Sequence, residues 1–459
     1  MNARSEWKYI YRRACTLLIT ALACGSFYFV WYRFVTRNNQ TGHLTGVGNQ
    51  LMAVGIYAVL FIFMGRSMHA FKIGVNRKAN VMASLCITLF LVNFIEIFVS
   101  MAITGQFRFG GEFAWRYTLL FLAQSVALAI ISALLISLYR KIFPPLQILE
   151  VHGDHENHLP EKISTVRYKY NVEKSIHYEE LDEFAGTLIR KYDAVLINDL
   201  PAHDQNHLLK LCFEKNKRAY LVPKISDVMV KSSEELNLID TPLYLLRNTD
   251  IALWRRFFKR FFDILLSSLT LVLFSPLFAL VAFLIHREDG GPVFYRQERC
   301  TINEKKFMIL KFRSMVVDAE KDGRPHPAEE HDDRITKVGR VIRSLRIDEL
   351  PQLINVLKGD MSLVGPRPER TEHVEKYKQD IPEFAFRTKM KAGLTGYAQV
   401  YGKYNTTALD KLKLDLIYIM NYNLKLDLQI IFETVKILVQ KESTEGFSEE
   451  RISEILDKE

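Results

Sequence analysis

Four apolar stretches crowd the first third of this chain, at residues 14–32, 51–64, 81–103 and 117–138. A membrane crossing takes about 20 apolar residues at ~1.5 Å each. The first, third and fourth stretches are long enough, and the second draws on Gly65 and its flanks. Glu96 is the one acid inside them, so residues 1–142 read as a four-helix anchor and not as a transport path. Arg4, Lys8, Arg12 and Arg13 precede the first stretch. Arg66, Lys72, Arg77 and Lys78 lie between the second and third, and Arg140-Lys141 follow the fourth. That bias places both ends of the bundle in the cytosol, although Arg33, Arg37, Arg108 and Arg116 fall on the other side. The first stretch is too long for a signal peptide, and no convincing cleavage motif follows it.

A chain of 459 residues has room for two or three domains, and 25% charged residues beside 49% hydrophobic ones call for soluble parts on the anchor. The net charge of +9 suits anionic lipid or a phosphorylated substrate. No nucleic-acid module is recognisable, so no nucleic-acid partner is expected. The five cysteines have no metal-ligand spacing and read as reduced packing residues.

Residues 143–250 alternate between strand and helix. Strands are expected at 146–151, 164–170, 193–197 and 218–222, with helices at 178–192 and 204–217. This is the pattern of a parallel, Rossmann-like α/β domain. Its first strand ends at His152-Gly153-Asp154, without the glycine fingerprint that admits a pyrophosphate. A scaffold or assembly role fits it better than cofactor binding.

Residues 253–260 mix Trp254, Phe257 and Phe258 with Arg255, Arg256, Lys259 and Arg260, which suits a headgroup layer. An apolar run at 261–285 follows, broken at Ser275-Pro276, where a kink is expected. A full span would carry the rest of the chain across the membrane. A re-entrant hairpin would return it to the side it left.

Residues 343–369 hold the strongest chemical signal. Asp348 and Glu349 are adjacent, Arg343 and Arg346 precede them, and Gly365-Pro366-Arg367-Pro368 follows. A carboxylate can attack phosphorus and form an acyl phosphate. Two neighbouring acids can hold Mg²⁺. Arginine grips phosphate oxygens through paired donors, and a proline-bounded turn aims it. The three-residue spacing of Arg343 and Arg346 predicts one helix carrying both. Pro351 predicts a helix start just after the dyad, whose field would keep Asp348 ionised. Asp427 is expected to cap a last helix at 428–439, with Ile430, Ile431, Val435 and Leu438 facing the core or the lipid boundary, the core being the plainer reading. Residues 318–322 and 329–333, with His331, read as solvated loops, and the tail after Lys441 as frayed.

These blocks, taken in order, resemble the polyprenyl-phosphate glycosyl-1-phosphate transferases, bacterial enzymes that begin capsule, exopolysaccharide and O-antigen assembly. The resemblance runs from Lys259 to Val439. It includes Lys259-Arg260-Phe261-Phe262-Asp263, Gly291-Pro292-Val293-Phe294-Tyr295-Arg296-Gln297, and Lys311-Phe312-Arg313-Ser314-Met315. It continues through Arg334-Ile335-Thr336, Asp348-Glu349-Leu350-Pro351-Gln352, Gly393-Leu394-Thr395-Gly396, and Asp415 with Tyr418. The resemblance implies a monotopic, mostly helical α+β catalytic domain at 251–459 with a re-entrant membrane helix. It implies transfer of a sugar-1-phosphate from a UDP-sugar to undecaprenyl phosphate, with UMP released and Mg²⁺ required. Asp348 matches the nucleophile and Glu349 its partner in metal or proton handling. Arg343 and Arg367 match phosphate-binding arginines. Lys311, Arg313 and Asp415 fall among the substrate-site positions. Two departures stand out. No glycine occurs in Arg299-Cys300-Thr301-Ile302-Asn303-Glu304, where the family usually has a glycine-rich turn, and Ala392 stands where it usually has proline.

The sequence reading is therefore an inner-membrane transferase with its catalytic domain on the cytosolic face, passing through a covalent aspartyl phosphosugar. Glucose, galactose and N-acetylated or diamino sugars all fit, and a homodimer is open. The competing readings are a catalytically inactive scaffold or sensor, and a transporter of polyprenyl-linked sugars.

Overall fold

The computed structural model describes residues 3–38, 47–105, 107–154, 159–181, 185–246, 251–317, 319, 332–402 and 406–439. Two compact units divide after Val222. The first begins with α1 (Ala3–Asn38), α2 (Val47–Ser67), α3 (Lys78–Thr104) and α4 (Gly110–Ile142). Four helices here are long and apolar enough to cross a membrane. A helix answers every backbone donor internally, as hydrocarbon requires. The bundle core is aromatic: Phe27 stacks on Tyr57 at 4.3 Å between ring centroids, with Trp31, Phe113 and Tyr117 beside them. Its buried amides bond to one another, with Asn93 Nδ2 donating to Gln124 Oε1 at 3.0 Å.

Then come β1 (Leu146–His152), α5 (Leu159–Ser164), β2 (Tyr170–His177), α6 (Ala185–Lys191), β3 (Ala194–Asn198), α7 (Ala202–Glu214) and β4 (Arg218–Leu221). The strands form one parallel sheet in the order β2-β1-β3-β4. The strand expected at 164–170 lies later, at Tyr170–His177, because pairing to β1 buries Ile176 in the core. The helix expected at 178–192 is shorter: a 3-10 turn covers Tyr178–Glu180, and α6 begins at Ala185. Gly153 lets two loops meet, since a Cβ there would lie 2.1 Å from the Asp199 carbonyl oxygen.

The second unit starts at Pro223, earlier than the composition shift at 250 suggests. Its first helix, α8 (Ile225–Lys231), leaves the parallel sheet because Val228 joins a core with Leu412 and Leu416. An antiparallel hairpin follows, β5 (Glu234–Leu238) and β6 (Thr241–Leu245). Next, α9 (Leu253–Leu273) and α10 (Ser275–Asp289) meet at a 62° bend. Ser275 and Pro276 open α10, and Ser275 Oγ donates to the Val272 carbonyl at 2.8 Å across the break. Proline suits a first helical turn, where donors lack partners, but not a helix interior.

Both outer ends of this bent pair are fastened to the same fold. On α9, Lys259 Nζ donates to Asp427 Oδ2 (2.8 Å) and the Val364 carbonyl (2.9 Å). Arg260 donates to the Val356 and Leu357 carbonyls at 2.5 and 2.7 Å. Asp263 accepts from Ser362 Oγ at 2.8 Å and the Leu363 amide at 3.0 Å. At the far end of α10, Asp289 pairs with Arg313, and Glu288 accepts from the Lys337 amide at 2.7 Å.

The remaining elements are the antiparallel pair β7 (Phe294–Cys300) and β8 (Lys306–Phe312), then α11 (Lys337–Ser344), α12 (Gln352–Lys358), β9 (Ser362–Val364) and α13 (Thr371–Asp380). They end with β10 (Gly393–Thr395), which pairs in parallel with β9, followed by α14 (Tyr397–Tyr401), α15 (Ala408–Met420) and α16 (Leu424–Val439). Asp427 does not cap α16. The helix starts one turn earlier, Asn423 Oδ1 accepts from the Leu426 amide, and Asp427 turns inward to Lys259 and Tyr418. Ile430 is fully buried, but Val435 and Leu438 are exposed, so only part of that apolar face meets the core. Residues 320–331, with His331, and the tail after Lys441 lie outside the described residues.

Candidate active site

The dyad is set by a capped helix, α11, and a sharp reversal after it. Thr336 Oγ1 accepts from the Gly339 amide at 2.9 Å and starts α11. Gly339 is required there, because a Cβ would meet the Ser314 carbonyl oxygen at 2.0 Å. Arg343 lies in the last turn of α11. Arg346 does not share that helix, contrary to the spacing argument. It adopts a left-handed φ of 57°, which ends the helix and turns the chain into a 3-10 turn, Ile347–Glu349. Ile347 packs with Phe312 and Ile342 beneath the turn.

Glu349 is held firmly, its side chain 14% exposed. Its Oε1 accepts from Lys311 Nζ on β8 at 3.0 Å and from Arg367 Nη2 at 2.9 Å. Burial pushes its carboxyl up, but Arg367, Lys311 and Arg346 more than offset that and hold it well below the usual range. Asp348 is different. It is half-buried, and no described residue gives it a hydrogen bond or ion pair. Burial and the adjacent Glu349 raise its pKa, against the pull of Lys311, Arg343 and Arg346. A helix field lowering it was the expectation. However, α12 begins only at Gln352, beyond Pro351, and burial beside a like charge prevails. Arg343 also has no ion pair among the described residues.

Arg367 is aimed by interlocked backbone. The Gly365 amide donates to the Thr395 carbonyl and the Gly393 amide to the Pro366 carbonyl, each at 2.9 Å. A Cβ on Gly393 would lie 2.1 Å from the Gly365 nitrogen, and one on Gly396 would lie 2.1 Å from its oxygen. The two glycine blocks of the sequence are thus two halves of one clasp.

Two expected site residues do not touch the dyad. Arg313 is 7% exposed and spends its guanidinium on Asp289 and the Pro292 carbonyl, fastening the end of α10. Asp415 is 1% exposed and binds Arg387 Nε through Oδ2 at 2.6 Å. Arg387 Nη2 in turn donates to the Arg367 carbonyl at 3.1 Å, and Glu369 lies between Arg387 (3.7 Å) and Lys411 (3.3 Å). Asp415 thus bonds the arginine that bonds the Arg367 backbone. The motif reading missed Glu369, Arg387 and Lys411, whose pairing joins distant segments with no local pattern.

The two departures from the family pattern meet. Thr301 Oγ1 accepts from the Ala392 amide at 3.1 Å, a donor that proline would lack. In the same turn Asn303 and Glu304 take left-handed φ values of 55° and 58°, the region that favours glycine.

Comparison with known proteins agrees with this architecture. A family model for bacterial sugar transferases matches residues 254–441. An Aeromonas hydrophila UDP-N-acetylgalactosamine-undecaprenyl-phosphate N-acetylgalactosaminephosphotransferase is 39% identical over 263 residues, 54% of this chain and 59% of that protein. A Caulobacter vibrioides UDP-glucose:undecaprenyl-phosphate glucose-1-phosphate transferase is 43% identical over 187 residues, covering 39% of this chain and 69% of its own length. The exopolysaccharide production protein ExoY of Rhizobium meliloti is 38% identical over 191 residues, 39% of this chain and 83% of that one. The chain belongs to the bacterial sugar transferase family. It spans about half the length of longer relatives, 59% of the Aeromonas protein and 45% of a Klebsiella pneumoniae glucose-1-phosphate transferase.

Proposed function

We propose that this chain transfers a sugar-1-phosphate from a UDP-sugar to undecaprenyl phosphate and so starts a cell-surface polysaccharide. The observation that carries the reading is the unequal dyad. Glu349 is clamped by Lys311 and Arg367, whereas Asp348 beside it has no hydrogen bond or ion pair among the described residues. An unpaired carboxylate among cations is free to attack; a clamped one fixes its neighbour's position.

The reaction runs in two halves. Asp348 bonds to the sugar-bearing phosphorus, and UMP departs with the electron pair of the broken bond. The lipid phosphate then attacks the same phosphorus, and Asp348 is released. Arg343 and Arg367 offset charge as it moves between oxygens. Mg²⁺ would supply further counter-charge. A magnesium ion takes about one or two carboxylates plus substrate phosphates, which suits Asp348 and the free Oε2 of Glu349. No group of three or more His, Cys, Asp or Glu residues is poised for a metal among the described residues, so most ligands would come from substrate and water.

Re-entry of the α9–α10 pair is part of the proposal. Lys259, Arg260 and Asp263 at one end and Asp289 at the other all bond to one domain, which supports both ends lying on one side of the bilayer. By the charge bias of the loops that side is the cytosol of a bacterial inner membrane. A lipid-borne acceptor then reacts without leaving the bilayer.

The test is UMP release by membranes holding the full chain, given undecaprenyl phosphate and a panel of UDP-sugars. One UDP-sugar should support turnover, and Asp348→Asn should abolish it. Undiminished release by the variant would rule out the nucleophile assignment.

A further inference from the structure

Cys300 and Thr301, where β7 ends, hold both ends of the segment 360–369 that carries Arg367. The Cys300 amide donates to the Glu369 carbonyl at 3.2 Å, just beyond the Gly365-Pro366-Arg367-Pro368 turn. Thr301 Oγ1 donates to the Asp360 carbonyl at 2.9 Å, just before β9. The same oxygen accepts from the Ala392 amide at 3.1 Å, just before β10. A hydroxyl has one proton to give and two lone pairs to receive, so one rotamer serves both bonds. Thr301 is 4% exposed and Ala392 3%, so water cannot readily take over either contact.

The strands that this hydroxyl joins have few bonds of their own. β9 and β10 are each 3 residues long and pair with one another as a two-stranded sheet. Two strands alone are marginal in water. At their base the Ser362 amide donates to the Ala392 carbonyl at 2.8 Å, and at their far end the Gly365–Gly393 clasp closes on the Arg367 turn. A slip of β9 along β10 would therefore carry Arg367 with it. Thr301 sits at the base, where it fixes the starts of both strands. Its own turn holds it there: the Thr301 amide donates to the Lys305 carbonyl at 2.9 Å, and Glu304 pairs with Lys378 at 2.8 Å.

We propose that Thr301 is a positioning residue for the transfer reaction: its hydroxyl staples the starts of β9 and β10 and so fixes where Arg367 points. The inference rests on the transferase reading above. Arg367 Nη2 also holds Glu349 at 2.9 Å, so a displaced Arg367 loosens the dyad along with the phosphate grip.

The experiment measures kcat for UMP release by the full chain in detergent, with undecaprenyl phosphate and a UDP-sugar that supports turnover. Thr301→Val keeps the side-chain shape and strands the Ala392 amide and the Asp360 carbonyl. Its kcat should fall about 10- to 100-fold, the scale of a ~1 Å misplacement. Thr301→Ser keeps the hydroxyl and should turn over close to wild type. The same Thr301→Val change is then made in Arg367→Lys, which keeps a cation but not the fork. There it should cost less than about 3-fold, because two changes that act through one residue do not add. Full kcat in Thr301→Val overturns the inference. So does an equal loss in both backgrounds, or a Thr301→Ser variant as slow as Thr301→Val. Loss of cooperative unfolding in Thr301→Val also overturns it, since that assigns the hydroxyl to the fold as a whole. Each of these leaves the Asp348 reading standing, whereas a wild type that releases no UMP from any UDP-sugar would overturn both.

Discussion

Asp348 and Asp415 are both aspartates in basic surroundings, and the fold treats them in opposite ways. Asp415 is almost sealed and bound to Arg387, which also reaches Glu369 and the Arg367 backbone. Asp348 is half-open and has no hydrogen bond or ion pair among the described residues, although Arg343, Arg346 and Lys311 all act on it. Burial raises both carboxyls, but only Asp415 has a guanidinium bonded to it. The lesson is one of division. The Asp415 network spends its charges on one another. The dyad keeps one charge unspent.

The sharpest way to break this contrast is to delete each acid and measure stability. Asp415→Ala leaves Arg387 buried and without its 2.6 Å partner. Removing one member of a buried pair costs about 3–5 kcal/mol, so a large fall in the unfolding midpoint is expected in detergent. Asp348→Asn removes no hydrogen bond or ion pair among the described residues and relieves repulsion with Glu349, so its midpoint should hold or rise slightly. Equal losses in the two variants would erase the distinction.

Activity should reverse the order. Arg343 has no ion pair among the described residues, so Arg343→Ala should fold normally. If it meets the moving phosphoryl charge, UMP release should drop by about 10²–10³-fold, the usual effect of deleting one transition-state donor. A variant with full turnover would take Arg343 out of the site.

A smaller effect is expected from pH. Burial raises the Glu369 carboxyl, but Arg387, Lys411 and Arg367 prevail and leave it lowered. A carboxyl lowered in the folded state stabilises fully above its unfolded pKa, about 4.3 for glutamate, and loses that contribution as pH falls through the folded value. The thermal midpoint should therefore fall on acidification below that point, and less steeply in Glu369→Gln. Asp415 is raised and pulls with the opposite sign, so the two variants should tilt the profile in opposite directions.

How much of this could be read from the chain depends on how local each feature is. Asp348-Glu349 and Gly365-Pro366-Arg367-Pro368 are contiguous, so their chemistry shows in the letters. The break at Ser275-Pro276 was legible for the same reason, because proline acts on its own turn. Lys259 and Asp427 are 168 positions apart, and Arg387 and Asp415 are 28 apart with no motif between them. Their pairing is a product of packing, so no local pattern in the letters shows that Asp415 pairs with Arg387 or Arg313 with Asp289. Arg346 failed differently. Helical spacing assumes that the helix continues, and a single left-handed residue ended it. The turn at Asn303 and Glu304 shows the converse, left-handed backbone kept without glycine, with Glu304 paired to Lys378 at 2.8 Å.

The most direct test of the unspent charge is to give the full chain a UDP-sugar that supports turnover, labelled at its sugar-bearing phosphorus, with no lipid acceptor present. The account predicts that label stays on the denatured polypeptide, maps to Asp348, and is discharged when undecaprenyl phosphate is added. Turnover with the polypeptide unlabelled at every time point, and UMP formed only once lipid is supplied, would contradict it.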